Sequence, residues 1–234
     1  MKLKKIIKKL RNLKKSDNLE SINNVDLLSC VGDKDSTILE IGCNNGSDTN
    51  RFLKLFPKAK IYCFEPDPRA LVKFEDNVRS SRVFLNKVAI SDKNGVIEFY
   101  ASDGMPAESY QQNYPKGWDA SGSIRKPTGH LIQHPWCKFD NVINVKTVTL
   151  DTWASTNNIR YIDFIWADVQ GAEIDVIKGG IETLKKTKYL YTEYSDDELY
   201  HGQATLEQML EIIPFFIIER KYINDVLLRN TLVS

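Results

Sequence analysis

The stretch Ile38–Thr49, ILEIGCNNGSDT, decides the fold of this chain. An apolar run carries the acid Glu40 near its end, two glycines follow four residues apart, and a polar cluster completes the stretch. This order predicts a buried strand, a tight turn and the N-terminus of a helix. Gly42 and Gly46 allow backbone conformations that other residues avoid, and Asn44 is the non-glycine residue best suited to a left-handed position. A ligand could therefore lie against bare backbone here, facing N–H groups and the positive end of a helix dipole.

The rest of the chain alternates between predicted strands and helices. Strands are predicted over 36–42, 60–66, 82–91, 95–100, 161–168, 189–195, 215–222 and 225–230. Helices are predicted over 16–32, 48–57, 68–78 with Asp67 as N-cap, 171–180, and from a capping box formed by Thr205 and Gln208. Near-continuous apolar strands alternating with helices indicate an α/β fold, with a mostly parallel sheet and helices on both faces. The last two strands predict an antiparallel hairpin at the C-terminal edge of the sheet.

Length and charge limit the classes of function. A chain of 234 residues can form one sizeable α/β domain, which we place at 31–234 after an N-terminal helical extension at 1–30. The first fifteen residues hold eight Lys/Arg and no acid, whereas the remainder holds 24 basic and 31 acidic residues. Phosphate neutralisation supplies most of the affinity for nucleic acids, so an acidic body argues against a nucleic-acid partner.

The basic N-terminal segment has helical periodicity, with its apolar residues on one face and lysines around them. Two interpretations stay open: the helix packs on the body, or it lies on an anionic membrane surface. No apolar run approaches the roughly 18 residues of a membrane span. The four cysteines form no CxxC pair, which predicts reduced thiols in a cytoplasmic protein, peripheral to the membrane if the helix binds lipid.

A stretch at about 101–140 interrupts the alternation of strands and helices. Forty residues there show little periodicity, and a structureless insertion of that length is usually functional or disordered. Disorder depletes aromatic residues, yet this stretch contains Tyr110, Tyr114, Trp118 and Trp136. We therefore expect an ordered lid or acceptor-binding loop.

Two acids at strand ends indicate the ligand. Glu40 precedes the first glycine of the turn by two residues and would repel a phosphate while attracting an ammonium group. Glu65 ends the second strand, where a carboxylate can accept hydrogen bonds from both hydroxyls of a ribose. A ligand with amine, carboxylate and ribose but no phosphate fits S-adenosylmethionine. The dinucleotide pattern G-x-G-x-x-G is absent, which argues against an NAD oxidoreductase.

Five sequence blocks resemble the FkbM-type S-adenosylmethionine-dependent methyltransferases, which implies a class I methyltransferase Rossmann-like fold. The blocks occur in order from about Thr37 to Glu193: LEIGCNNGSDT, YCFEPDP, VAISDKNG, VTLDTWA and IDFIWADVQGAEIDVIKG. The chain departs from the family pattern at Glu40, which replaces an aspartate, and at Trp166, Ala167 and Gln170, where the family usually has I-K-I-D-V-E. These last departures lie beside the expected reaction centre and concern the choice of acceptor.

The resemblance implies a set of cofactor-binding residues. Glu40 would hold the methionine amine and Glu65 the ribose. The N–H groups around Gly42 to Gly46, with the hydroxyls of Ser47 and Thr49, would receive the carboxylate. The full predicted set is Glu40, Gly42, Asn44, Gly46, Ser47, Thr49, Glu65, Pro66, Ala89, Ser91 and Asp168. Ala89, Ile90 and Ser91 would border the adenine, although plain strand packing explains Ala89 and Ile90 equally well.

Methyl transfer to a hydroxyl requires alignment and removal of the acceptor's proton. Asp168, at the end of the fourth main strand, is the first candidate for the general base, and Glu193 is the second. His134 and His130 in the insertion are further candidates. A divalent cation on Asp168 and Glu193 is not favoured, because nothing else in the sequence requires a metal.

The insertion also supplies candidate acceptor-binding residues. Aromatic rings could stack on sugar faces, serines and Asp119 could bond hydroxyls, and Arg125 with Lys126 could bind an acceptor phosphate or carboxylate. The predicted set is Trp118, Ser123, Arg125, His130 and Trp136. We therefore expect an O-methyltransferase acting on a sugar or glycoconjugate. The alternatives are methylation of another small molecule or of a nucleic acid, and a non-catalytic binding module on the same fold.

Overall fold

The computed structural model describes residues 20–106, 108 and 117–233. The basic segment at 1–15, Tyr110 and Tyr114 lie outside the described residues. The strands in chain order are β1 (Thr37–Ile41), β2 (Lys60–Phe64), β3 (Val83–Asn86), β4 (Ala89–Ile90), β5 (Gly95–Gly104), β6 (Cys137–Val148), β7 (Ile162–Ala167), β8 (Thr187–Glu193), β9 (Phe216–Lys221) and β10 (Asp225–Asn230). The helices are α1 (Asn24–Val31), α2 (Ser47–Leu55), α3 (Pro68–Asn77), α4 (Gly129–Gln133), α5 (Leu150–Thr156), α6 (Glu173–Lys178), α7 (Ile181–Leu184) and α8 (Leu206–Ile212).

Seven of these strands form the main sheet, in the order β3-β2-β1-β7-β8-β10-β9. The first five are mutually parallel, and β10 is antiparallel to both of its neighbours. The strand order reverses at β1, which lies between β2 and β7, so a crevice opens at the carboxyl ends of β1 and β7. This arrangement confirms the predicted class I methyltransferase fold. The C-terminal edge of the sheet differs from the prediction in one detail: β10 lies between β8 and β9, so β9 is the outermost strand.

The strand β1 is hydrophobic on both faces because helices cover both sides of the sheet. Leu39 and Ile41 join a core with α5, α6, α7 and α8, whereas Ile38 joins a core with α1, α2 and α3. Helix α1 belongs to this body, since Leu27 and Val31 are buried beside Phe52. The domain boundary expected at residues 30 and 31 therefore falls inside a packed helix. The helix predicted over 16–32 begins only at Asn24, after its N-cap Asn23.

The helix signals at two other positions are confirmed. The Asp67 side chain accepts the backbone N–H of Arg69, with Pro68 in the first turn of α3. Thr205 and Gln208 form the complete capping box of α8. These short-range signals act through neighbouring residues, so they do not depend on the tertiary fold.

A second sheet, in the order β4-β6-β5, supports the insertion. The strands β5 and β6 pair antiparallel from Gly95 opposite Thr147 to Gly104 opposite Cys137. The stretch expected at 101–140 to lack regular structure is therefore shorter: its first and last four residues extend these strands, and α4 lies within it. The connection between the strands spans 105–136, and its residues 117–124 are called the roof segment below.

The turn after β1 has the backbone conformation that the sequence predicts. Gly42, Asn44 and Gly46 have φ angles of +85°, +42° and +78°. A Cβ on Gly42 would lie 1.8 Å from the backbone oxygen of Asp168, and one on Gly46 would lie 2.4 Å from a methyl of Val78. The glycines are thus required because neighbouring parts of the protein approach closely, and not only to leave room for a ligand. Among the described residues, no helix is long and apolar enough to cross a membrane.

We predict that Gly42→Ala destabilises the fold much more than Gly32→Ala. Both positions have positive φ, which costs an L-residue about 1–2 kcal/mol. Only Gly42 adds a collision, because no atom of the described residues lies within 4 Å of a Cβ on Gly32, and overpacking costs roughly 1–3 kcal/mol more. Urea unfolding of the two variants measures the difference. Equal losses would show that the close approach of Gly42 to Asp168 carries no constraint.

Candidate active site

Four carboxyl groups meet at the carboxyl ends of adjacent parallel strands. Glu40 is the next-to-last residue of β1, Glu65 follows β2, Asp168 follows β7 and Glu193 ends β8. In the register of the sheet, Glu40 lies opposite Cys63 on one side and Trp166 on the other. The convergence of parallel strand ends therefore places all four acids at the crevice beside β1.

A polar cavity of about 190 Å³ opens between these strand ends. Its walls include the carboxyl groups of Glu40, Asp48, Glu65 and Asp168, and none of its lining residues is Lys, Arg or His. A cavity with this charge favours a cationic ligand and disfavours a phosphate.

Glu40 is buried beneath the polar cavity, with 2% of its surface exposed. The Thr49 hydroxyl and the Cys63 thiol both donate to its Oε2, and neither contact uses Oε1. Burial, with a smaller contribution from the neighbouring Cys63, raises the pKa of Glu40 well above its usual range. A bound ammonium group would offset this cost by favouring the ionised carboxylate.

Glu65 is also buried, with 5% of its surface exposed. Its Oε2 accepts the N–H of Asn44 at 2.8 Å and its Oε1 accepts the N–H of Asp67 at 2.8 Å, so both oxygens are fixed by the backbone. Burial raises the pKa of Glu65 to about 8, although these two hydrogen bonds lower it. Each oxygen keeps capacity for a further donor such as a hydroxyl.

A smaller apolar cavity of about 40 Å³ lies next to the polar one, and Gly42 lines both. Pro66, Ala89, Ile90 and Ile124 are among its walls. Ser91, predicted at the same place, is fully buried outside this lining, and its hydroxyl donates to Asp92. The two cavities together offer an apolar end and an acidic end on either side of the turn.

The N–H groups of the turn have acceptors within the protein. The N–H groups of Gly42 and Cys43 donate to Phe64 O, and the N–H of Asn44 donates to Glu65. The remaining three N–H groups donate within the turn: Asn45 N–H to Asn44 Oδ1, Gly46 N–H to Cys43 O and Ser47 N–H to Asn45 Oδ1. The Ser47 hydroxyl also donates to Asn45 Oδ1. In this structure the N–H groups close the turn and the Thr49 hydroxyl donates to Glu40, and their donation to a ligand carboxylate stays a prediction.

The carboxyl groups of Asp168 and Glu193 form a bridged pair, called the acid pair below. The Gln170 side-chain amide donates to Asp168 Oδ1 at 2.7 Å and to Glu193 Oε2 at 3.1 Å. Burial raises the pKa of both groups, and the charge of Asp168 raises that of Glu193 further. The described residues contain no group of three His, Cys, Asp or Glu side chains arranged to hold a metal ion.

The roof segment covers the crevice. Ala120 lines the polar cavity, and Ile124 lines the apolar one. The Asn44 side-chain amide donates to Asp119 O at 2.9 Å, and Lys73 Nζ lies 2.6 Å from Asp119 Oδ2. The insertion is therefore tied directly to the turn after β1.

The predicted aromatic and histidine candidates form a packed cluster beside the crevice. The Trp118 and Trp136 rings meet edge-on at 5.5 Å, and the Trp118 indole donates to Ser121 Oγ. His130 is 5% exposed, and burial lowers its pKa to about 4, so its imidazole is neutral at pH 7. His134 is half-buried against His130 and Trp136. None of these side chains lines either cavity.

Two of the predicted acceptor-binding side chains already have partners within the protein. The Arg125 guanidinium makes a bidentate ion pair with Asp175, at 2.6 and 2.9 Å, and donates to His201 O. The Ser123 hydroxyl is buried and accepts the N–H of Arg125. The role of Arg125 in binding an acceptor anion stays a prediction, and such an anion would have to compete with Asp175 for the guanidinium.

Sequence analysis missed Tyr200, Asp48 and the bridging role of Gln170. The Tyr200 hydroxyl lies 3.2 Å from Gln170 Oε1 and 2.9 Å from Ser121 O, which links the acid pair to the roof segment. Tyr200 follows β8 in a segment without periodicity, so no sequence signal identified it. Asp48 could have been found, because it lies in the first turn of α2 directly after the glycine turn.

We predict that Glu173→Gln stabilises the protein at alkaline pH and not at acidic pH. Glu173 Oε1 accepts the N–H groups of Val169 and Gly171, and a glutamine oxygen can accept both. Burial raises the pKa of Glu173 to about 7, so its contribution to stability is present below pH 4.5 and lost as the pH rises through 7. The gain expected at pH 8.5 is roughly 3 kcal/mol. Urea unfolding at pH 4.5 and 8.5 measures it, and a gain equal at both pH values would contradict the prediction.

Comparison with known proteins identifies the family. The family model described as "Methyltransferase FkbM domain" matches residues 40–223. The 2-O-methyltransferase NoeI of Sinorhizobium fredii is 49% identical over 210 residues, which cover 88% of this chain and 84% of that protein. A tRNA N(3)-methylcytidine methyltransferase of Schizosaccharomyces pombe, trm141, is 30% identical over 113 residues, 44% of this chain and 46% of that protein. A solved structure of a putative rRNA-methylase from Clostridium thermocellum, 14% identical, covers 92% of this chain and 99% of its own with a TM-score of 0.47. Because the family model and the first relative both span most of its length, the chain belongs to the FkbM family of S-adenosylmethionine-dependent methyltransferases.

Proposed function

We propose that this enzyme transfers the methyl group of S-adenosylmethionine to a hydroxyl of a sugar or glycoconjugate. The observation that carries the cofactor assignment is the polar cavity, whose walls, among the described residues, include four carboxyl groups and no basic side chain. S-adenosylmethionine has two cationic centres, its ammonium and its sulfonium, which such a cavity complements. Transfer to oxygen is supported by the printed activity of the relative that is 49% identical, a 2-O-methyltransferase.

Different groups of the described residues would bind different parts of the cofactor. Glu40 Oε1 would take the ammonium group, since burial makes an unpaired carboxylate unfavourable there. Glu65 would accept the ribose hydroxyls, and the apolar cavity beside Pro66, Ala89 and Ile90 would hold the adenine. The roof segment would have to separate from Gly42 to admit a whole adenine, because that cavity is only about 40 Å³.

Asp168 is proposed as the group that positions the acceptor and accepts its proton. When bound, S-adenosylmethionine supplies an electrophilic methyl carbon on a positively charged sulfur. Asp168 lines the polar cavity beside Trp166 and Gln170, with its carboxylate held by the Gln170 amide. Asp168 would take the proton that the acceptor hydroxyl loses when the methyl group passes from the sulfur to the hydroxyl oxygen, with the thioether as the leaving group.

The sugar-type acceptor is supported by the aromatic content of the insertion. Trp118, in the roof segment, packs on Trp136, and such a pair of rings suits the apolar faces of a sugar. We propose that the stretch between β5 and β6 is the acceptor-binding part of a single methyltransferase domain. We also propose that the basic N-terminal segment contacts an anionic membrane.

Asp168→Asn is expected to lower methyl transfer by about a hundredfold or more, because a general base contributes roughly 10² to 10⁴ in rate. The assay uses methyl-labelled S-adenosylmethionine with a panel of free sugars, nucleotide-sugars and glycan extracts. Asp140→Asn, on the exposed face of β6, is the matched control and should keep full activity. Undiminished transfer by Asp168→Asn would remove Asp168 from the mechanism, and labelling of RNA in place of sugars would overturn the acceptor class.

Binding of S-adenosylhomocysteine at pH 7 should release protons. Glu65 has a pKa of about 8 and is mostly protonated at pH 7, whereas two ribose hydroxyls favour its ionised form. Affinity should therefore rise with pH from 6 to 8, by up to about tenfold per pH unit for one coupled proton. Isothermal titration calorimetry in buffers of different ionisation enthalpy measures the release. In Glu65→Gln the release should fall by about one proton, and an unchanged value would place the ribose elsewhere.

A further inference from the structure

Gln170 occupies a strained position directly between the acid pair and the roof segment. Its φ is +53°, which is uncommon for a residue with a long side chain, and Gly171 follows with φ of +86°. A Cβ on Gly171 would lie within 2.9 Å of three atoms of Tyr200, so the turn packs directly on that ring. A strained backbone held by close packing is a sign that the side chain it presents has a function.

The amide of Gln170 has one orientation that satisfies its neighbours. Its Nε2 donates to Asp168 Oδ1 at 2.7 Å and to Glu193 Oε2 at 3.1 Å, which uses both of its N–H groups. Its Oε1 faces the Tyr200 hydroxyl at 3.2 Å. A flipped amide would turn its oxygen toward two carboxyl groups, so the acid pair favours the present orientation, in which Oε1 faces the Tyr200 hydroxyl.

The surroundings of the acid pair are acidic. Asp48 faces Asp168 from α2, and Glu173 and Asp225 face Glu193 from α6 and β10. Tyr200 is neutral and buried on the remaining side. Such surroundings disfavour two charges on the pair, and the interaction between the two carboxyl groups lowers the pKa of Asp168 while it raises that of Glu193. The shorter amide contact falls on Asp168, which favours ionisation of Asp168.

We propose that Gln170 is a positioning residue whose amide keeps Asp168 ionised and directed into the polar cavity, while Glu193 retains the single proton of the acid pair. This inference rests on the proposed role of Asp168 as proton acceptor. The Tyr200 hydroxyl lies within hydrogen-bond distance of both Gln170 Oε1 and Ser121 O and can donate its one proton to either, so Gln170 lies next to the roof segment.

The test replaces Gln170 by Met, which keeps the volume and removes both N–H donors. The side-chain carboxyl ¹³C shifts of Asp168 and Glu193, assigned with Asp168→Asn and Glu193→Gln, are followed by NMR through a pH titration without any ligand. In the wild type Asp168 should titrate below Glu193. In Gln170→Met the Asp168 midpoint should rise by about one pH unit or more, because the ionised form has lost a donor. Tyr200→Phe, which keeps the ring on Gly171, should give a smaller rise.

A kinetic measurement supplies the second readout. With the acceptor identified from the sugar panel, the acidic limb of the kcat profile should move upward in Gln170→Met and kcat should fall about tenfold, while KM for S-adenosylmethionine changes less than about twofold. Gln208→Met, on the exposed side of α8 and outside the lining of both cavities, is the matched control. Circular dichroism checks folding. If Gln170→Met unfolds, Gln170→Glu replaces it, and its third carboxyl group should raise the Asp168 midpoint further.

Unchanged midpoints and an unchanged profile in the Gln170 variant would overturn the proposal. Its failure is distinguishable from failure of the proposed function. If Asp168→Asn keeps full activity, Asp168 is not the base, and the NMR shifts still report on the role of Gln170. If Asp168→Asn is inactive and Gln170→Met has unchanged midpoints and an unchanged pH profile, only the positioning role of Gln170 is rejected.

Discussion

The contact between Gly42 and the backbone of Asp168 is the constraint on which the site depends. The ends of β1 and β7 approach so closely that a Cβ at Gly42 would lie 1.8 Å from the Asp168 oxygen. Because the neighbouring strands are hydrogen-bonded in fixed register, this approach also sets the distances among Glu40, Glu65 and Asp168. A wider gap would separate the acids, and a side chain at Gly42 would fill the passage between the two cavities.

The site concentrates buried carboxyl groups at a cost to the stability of the fold. Burial raises the pKa of Glu40, Glu65, Asp168 and Glu193, which means that each resists ionisation in the free protein. A cationic ligand relieves that cost, so part of the unfavourable free energy of the empty site becomes affinity. Where the acids cannot meet a ligand, the protein neutralises them differently, as in the ion pair of Asp175 with Arg125.

The sequence predicted those features that follow from local or repetitive geometry. The caps of α3 and α8, the left-handed Asn44 and the convergence of acids at strand ends needed only short-range signals and the rule that parallel strands end together. It did not predict β6 or α5, because the alternation along Cys137–Val148 is interrupted by polar residues on half-exposed faces. The partner of Arg125 lies fifty residues away in sequence, and the internal hydrogen bonds of the turn depend on Phe64 and Glu65 in the adjacent strand region. Such pairings are set by the tertiary fold and leave no mark on the linear pattern.

The placement of β10 bears on how the enzyme is made. This strand comes after β9 in the chain but lies between β8 and β9 in the sheet, and Asp225 pairs with Glu193 in its register. During synthesis, one edge of β8 stays unpaired until residues 225–230 have emerged from the ribosome. The side of the crevice that holds Glu193 is therefore completed later than the side formed by β1 and β2, because β10 must first pair with β8.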